Sequence, residues 1–263
     1  MNHDEFRRLI RQQGEELYRD MPWRRDTRPY YVLVSELMLQ QTQVDRVIPK
    51  FNAFIERFPD EQVLADASLA DVLRLWQGLG YNRRAKFLHE AAKMVVEDGG
   101  FSQDEAGLTA LPGVGKNTAG AIMAYAYNMP ALFIETNVRA AYIHHFFEDY
   151  DLVDDKDIKE LLEQTIDRDH PREFYWAIMD YGSWLKKQGV RPSRSLQYKK
   201  QSPLKGSVRE VRGQILRALA QGDMTSTQLR QELGDDGRFE QALDGLVRDG
   251  LVEQSASQLH LTK

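Results

Sequence analysis

Apolar residues recur at spacings of three and four along most of this chain, and the alternation that marks strands is confined to its last dozen residues. The periodicity predicts helices over 4–18, 31–39, 44–58, 69–77, 83–98, 104–110, 115–127, 138–147, 155–165 and 171–187, with a short one at 64–67. Asp155 and Pro171 stand at helix starts, where a side-chain acceptor or a residue without an N–H is favoured. After Lys187 the text changes to Gly189-Val190-Arg191-Pro192-Ser193-Arg194-Ser195, the composition of a linker. A second pattern follows: an amphipathic helix at 208–220, a helix at 228–233 capped by Thr225-Ser226-Thr227, and a third at 238–248. Two alternating runs, 251–254 and 258–261, then flank a polar turn. Three helices and a hairpin outline a winged helix-turn-helix. The chain is therefore expected to be mainly α, with domain 1–187, a basic linker at 188–206 and a small α+β domain at 207–263.

Composition narrows the chemistry. With 263 residues, 42% of them hydrophobic, the chain can bury two compact cores. It has no cysteine, which excludes disulfides, thiolate zinc sites, cysteine-ligated iron–sulfur clusters and a cysteine nucleophile. The first twenty residues are too charged for a signal peptide and no apolar run reaches transmembrane length, so the expectation is a cytoplasmic, nucleoid-associated protein without a membrane partner. The net charge is −5, yet between Lys186 and Arg217 ten Lys or Arg stand against one acid, Glu210. A basic stripe on an acidic protein is what a polyanion-binding face looks like, and Lys199 and Lys200 lie at its middle. The winged-helix region is less basic, with Asp235, Asp236 and Glu240, and leaves both DNA and a protein partner open.

The segment Leu111-Pro112-Gly113-Val114-Gly115-Lys116-Asn117-Thr118-Ala119-Gly120 is a proline-glycine hairpin opening into a small-residue helix. Its two glycines allow positive φ and close backbone approach, and amides at the following helix start form an anion site. Gly113, Gly115, Lys116, Asn117 and Thr118 are thus candidates to hold a DNA phosphate without reading sequence.

This hairpin, together with Pro29 to Val44, which includes Ser35-Glu36-Leu37-Met38-Leu39-Gln40-Gln41-Thr42-Gln43, then Gly78-Leu79-Gly80-Tyr81 and Ile134-Glu135-Thr136-Asn137-Val138, resembles the helix-hairpin-helix (HhH-GPD) DNA glycosylases, nearest the MutY type adenine glycosylases. The resemblance covers about residues 20 to 185. It implies a two-lobed all-helical glycosylase domain and, as partner, double-stranded DNA carrying a mismatched or damaged base. It further implies base excision by a monomer, on adenine opposite G or 8-oxoguanine. Hydrolysing an N-glycosidic bond calls for an acid at the base and a negative charge near the sugar. Glu36, in a largely apolar helix expected to raise its pKa, matches the family's general acid. Glu135 stands where the family has aspartate in Asp-Gly-Asn-Val, keeping the charge but moving it by roughly an ångström or more. Asn137 matches the family's asparagine. Asn117 occupies the place of the lysine that makes relatives such as endonuclease III bifunctional, so the expectation is a monofunctional enzyme without AP lyase activity. Gln40, Gln41, Gln43 and Tyr81 match residues that wedge into DNA and fill the gap left by a flipped base.

Two departures stand out. Relatives usually close the domain with four cysteines around an iron–sulfur cluster, where this chain has its basic segment; the resemblance otherwise leaves room for a monovalent cation at the hairpin carbonyls. The larger C-terminal domain with which adenine glycosylases inspect 8-oxoguanine is replaced by the winged-helix pattern. A glycosylase for thymine or uracil opposite guanine or for an oxidised pyrimidine, and a catalytically silent lesion-binding protein, are the competing readings. His144-His145 is read as structural.

Overall fold

Side-chain caps and prolines start many of the helices. In the computed structural model, which describes residues 1–190, 192–198, 201–234, 237–255 and 257–263, α1 (His3–Glu16) opens with a reciprocal pair in which Asn2 and Glu5 bond each other's backbone amides. Then come α2 (Pro22–Arg25), α3 (Pro29–Leu39), α4 (Val44–Arg57), α5 (Glu61–Ala65), α6 (Leu69–Trp76) and α7 (Arg83–Glu97). After these come α8 (Glu105–Ala110), α9 (Lys116–Tyr125), α10 (Thr136–Phe146), α11 (Asp155–Thr165) and α12 (Pro171–Lys187). The last segment holds α13 (Val208–Leu219), β1 (Met224–Thr225), α14 (Ser226–Leu233), α15 (Phe239–Arg248), β2 (Val252–Ser255) and β3 (Gln258–Leu261). Asp60, Ser68, Asp154 and Thr225 cap α5, α6, α11 and α14. Periodicity is blind to α2 because one turn contains too few positions to repeat, and to β1 because two residues cannot alternate.

The chain forms two compact units. The first comprises residues 1–33, 102–110 and 114–201. Its centre is α12, against which α1 and α10 pack. Gly14 of α1 lies so near Ala177 that an added Cβ would stand 2.6 Å from the alanine's methyl. Phe6 meets Tyr142 and Phe146 at 4.9 and 5.0 Å between ring centres, and Phe133 stacks on Tyr175 at 3.9 Å. One charged cluster is taken into this core. Asp180 of α12 is 3% exposed and Arg24 is 6% exposed, their side chains bonded at 2.6 and 3.0 Å, with Arg19 adding a backbone and a side-chain bond to the same carboxylate. These bonds tie α2 and the loop before it to α12.

The second unit comprises residues 34–101, 111–113 and 202–263. Phe54, Phe58, Leu64 and Trp76 are fully buried and fill the centre of α4–α7. The C-terminal segment places α13, α14 and α15 on a three-stranded antiparallel sheet of order β1-β3-β2, with Val252 opposite Leu261 and Met224 opposite Leu259. Leu251, Val252, Leu259 and Leu261 supply its buried face. Within the unit Lys86 Nζ donates to Asp249 O at 3.0 Å, and Arg212 forms a 2.5 Å ion pair with the Asp249 carboxylate.

Removing a partner from a buried ion cluster leaves the remaining charge uncompensated. Asp180→Asn is expected to lower stability by about 3–5 kcal/mol, read by urea unfolding; a change below about 1 kcal/mol would show that the cluster is not buried in solution.

Candidate active site

The hairpin and the helix after it use their two glycines differently. Gly113 has φ +77°, and a Cβ there would lie 2.8 Å from the Phe87 Cβ, so both conformation and space demand glycine. Gly115 does not adopt the left-handed region the spacing suggests. It is extended, at φ −94° and ψ 178°, as the N-cap of α9, and nothing lies within 4 Å of where its Cβ would be. A residue with no side chain at an N-cap leaves the first-turn amides open to an outside acceptor. Lys116 and Asn117 are exposed in that first turn, whereas Thr118 is turned inward and buried. The Asn117 amide donates to Ile134 O at 3.0 Å, one residue before Glu135.

Glu135 is the N-cap of α10, but its carboxylate makes no capping bond. It is half-buried, and desolvation lifts its pKa above the ordinary glutamate value, opposed by the charge of Arg139. Arg139 is itself held by two bonds to Asp155, at 2.7 and 2.6 Å. The start of α10 lies directly on α12. A Cβ at Gly182 would stand 2.1 Å from Asn137 O, so backbone touches backbone at this crossing. Asn137 Oδ1 is buried there and accepts no hydrogen bond. Gly182 escaped the sequence reading, because a glycine in mid-helix carries no sign of what crosses it.

Glu36 is the only charged residue of α3, a helix otherwise almost entirely buried through Tyr30, Val32, Leu33, Val34, Ser35, Leu37 and Met38; Glu36 itself is half-buried. It belongs to the second unit and Glu135 to the first. The end of α3 is closed by Arg84, which sequence reading also missed. This buried guanidinium donates to the carbonyls of Leu37 (2.5 Å), Met38 (3.1 Å), Gln40 (2.6 Å), Leu79 (3.2 Å) and Gly80 (2.9 Å). Burial lowers its pKa to about 10, leaving it cationic at neutral pH. The two segments it joins each contain a residue with a side chain in the left-handed region, Gln41 at φ +57° and Tyr81 at φ +48°. Gln40 is half-buried, and Gln41, Gln43 and Tyr81 are exposed.

The basic segment is partly anchored. Val153 N donates to Arg194 O at 2.8 Å and Leu196 N to Val153 O at 3.0 Å. The Arg194 guanidinium donates to Tyr150 O at 2.9 Å and to Glu148 O at 2.8 Å, just beyond the end of α10. Lys199 and Lys200 lie outside the described residues. His145 Nε2 is 2.7 Å from the Tyr181 hydroxyl, and burial, with His144 beside it, pushes its pKa down to about 4, so the ring is neutral. Among the described residues no group of three or more acidic or histidine side chains could hold a metal ion, and a chain without cysteine cannot supply the thiolates of an iron–sulfur cluster. No helix among the described residues is long and apolar enough to cross a membrane.

Residues 34–168 match the family described as "HhH-GPD superfamily base excision DNA repair protein". The chain is 35% identical to the adenine DNA glycosylase of Mycolicibacterium smegmatis, over 90% of this chain and 89% of that one. It is 36% identical to the adenine DNA glycosylase of Buchnera aphidicola subsp. Baizongia pistaciae over 63% of this chain, spanning 48% of that relative's length. The fold is that of a thermostable thymine-DNA glycosylase of known structure, with a TM-score of 0.61, 24% identity, and coverage of 69% of this chain and 86% of that one. The chain belongs to the HhH-GPD superfamily of base excision repair DNA glycosylases.

Two outcomes follow from this geometry. Gly182→Ala forces α10 and α12 apart and is expected to slow single-turnover base release by about 100-fold, the scale of an ångström misplacement, with a smaller loss of thermal stability; an unchanged rate would show that the crossing does not position Glu135 and Asn137. Because the Glu135 pKa is raised, its ionisation opposes folding, and the wild type loses stability as pH rises through that pKa. Glu135→Gln should therefore be more stable than wild type at neutral pH, with the difference vanishing as pH falls below the ordinary glutamate range, as followed by thermal melts across pH.

Proposed function

We propose that this glycosylase is monofunctional and removes adenine mispaired with G or 8-oxoguanine from double-stranded DNA. The observation that carries the first half is Asn117. The residue at the family's lysine position is an amide, which cannot form a Schiff base with the sugar, and its nitrogen is engaged with the Ile134 carbonyl. The neighbouring Lys116 is rotated roughly 100° around α9 and serves the DNA phosphate. Adenine as the target is supported by the relatives matched over most of this chain and by Glu36, the lone charge in an apolar helix.

In this reading the hairpin, with Gly113, Gly115, Lys116 and Asn117, holds the backbone of the lesion strand; the Thr118 side chain is buried and leaves only its main-chain amide for that contact. Gln40, Gln41, Gln43 and Tyr81 occupy the space the flipped nucleotide leaves. Glu36 delivers a proton to the adenine ring, so that the base can leave with the glycosidic electron pair. The sugar becomes an oxocarbenium ion, whose positive charge the Glu135 carboxylate stabilises until water adds to the anomeric carbon. In this reading Asn137 orients Glu135 by donating from its side-chain amide nitrogen, since a carboxylate has no proton to give to the buried Oδ1. Lys199 and Lys200 add sequence-independent phosphate contacts. A monovalent cation at the hairpin carbonyls is compatible with this reading, which uses no other cofactor.

The test is single-turnover base release on duplexes carrying A opposite 8-oxoguanine, A opposite G, T opposite G, U opposite G and oxidised pyrimidines, developed with and without alkali. The expected outcome is cleavage at adenine only after alkali, reduced at least about 1,000-fold in Glu36→Gln. Cleavage without alkali would overturn the monofunctional assignment, release of another base would overturn the substrate, and tight binding without release would make the chain a lesion-binding protein.

A further inference from the structure

A side chain of the C-terminal module reaches the turn that carries Tyr81. Arg209, the second residue of α13, donates a hydrogen bond from Nη1 to the Tyr81 hydroxyl. Its guanidinium carbon lies 5.1 Å from the Tyr81 ring centre, and that of Arg84 lies 5.6 Å from the same ring. Arg209 is braced in turn, with Nη2 donating to Ser202 O at 2.7 Å and Ser202 Oγ at 3.2 Å. All of these residues belong to the second unit. The ring they hold is 39% exposed on a residue at φ +48°, just after Gly80 at φ +71°. A side-chain-bearing residue persists in that region only where its surroundings over-determine it. The Arg84 bonds fix the backbone of the turn, but they stop at the carbonyl oxygens; the tip of the tyrosine is fixed by Arg209.

We propose that Arg209 is a positioning residue for Tyr81, so that the C-terminal module contributes to base flipping by presetting the inserting ring. Tyrosine has few rotamers to freeze, and a ring already held in one of them enters the base stack without that loss. The module thus acts on DNA through the glycosylase lobe's own turn, a role that needs no basic recognition helix. This inference rests on the reading of Tyr81 as the inserting residue.

The experiment uses the full-length protein, as wild type, Arg209→Ala, Arg209→Lys, Tyr81→Ala and the Tyr81→Ala/Arg209→Ala double variant. Base extrusion is followed by the fluorescence of 2-aminopurine placed at the target position of a mismatched duplex, a readout that needs no base release. Binding across salt and thermal melting are measured alongside. The expected result is that Arg209→Ala slows extrusion about tenfold, that Arg209→Lys recovers part of the loss, and that Arg209→Ala adds nothing once Tyr81 is alanine. An equal loss in both Tyr81 backgrounds would overturn the proposal. With a shallower salt dependence such a loss would make Arg209 a phosphate contact, and with a matching fall in melting temperature a purely structural one; unchanged extrusion would overturn it as well. If Tyr81→Ala alone leaves extrusion at the wild-type rate, the insertion reading itself fails, and that outcome is distinct from an inert Arg209.

Discussion

The arrangement around Glu36, Gln41 and Tyr81 depends on a single buried cation. Arg84 is enclosed in the second unit, and the bonds that offset its desolvation come from backbone carbonyls of two segments: the last turn of α3 with its exit, and the turn at 79–80. Those carbonyls need the guanidinium as much as it needs them. The final carbonyls of α3 have no intrahelical donor, and a positive charge at a helix C-terminus interacts favourably with the partial negative charge there. The exchange leaves Gln41 and Tyr81 in a backbone region that side-chain-bearing residues rarely occupy, stable because Arg84 holds both segments at once. Glu36, one residue before the first of those carbonyls, is placed by the same closure.

The first unit solves a different problem, that of bringing a carboxylate and an amide to the start of a helix without letting them be spent on capping it. Gly182 does so by giving way: with no Cβ, α12 allows the Asn137 backbone to lie against it. Asn117 holds the preceding residue through Ile134 O. The Asp180–Arg24–Arg19 cluster secures α12 from its other connections. Glu135 is left half-buried and raised in pKa, a carboxylate under electrostatic tension that a positive charge would relieve. The oxocarbenium ion of the proposed reaction is such a charge, and under that proposal a site tuned this way would favour the transition state over the empty protein.

The segment that follows α12 is held by main-chain acceptors. Arg194 donates to carbonyls beyond the end of α10, and the Val153–Ser195 bridge ties the segment down. The ordering is local, because donors and acceptors have to match residue by residue.

Much of this protein was legible in its sequence. Periodicity located the long helices because a buried stripe must repeat with the helical turn, and the terminal hairpin because alternation serves only a sheet. The motifs singled out Glu36, Glu135, Asn137 and the hairpin as candidates because those residue types carry recognisable chemistry, and the absence of cysteine is a property of the sequence alone. What tertiary structure decided were the residues whose meaning lies in what crosses them. Gly182 and Gly14 are unremarkable in a helix until a second helix meets them, and nothing in the sequence marks Arg84 or Arg209 until carbonyls gather around the one and an aromatic ring meets the other. Even within the hairpin, sequence could not tell that Gly113 needs both its conformation and its space while Gly115 needs neither from the protein itself. A side chain's chemistry is written in the sequence, but its partners are set by contacts between residues far apart in the chain, and only the folded packing makes those.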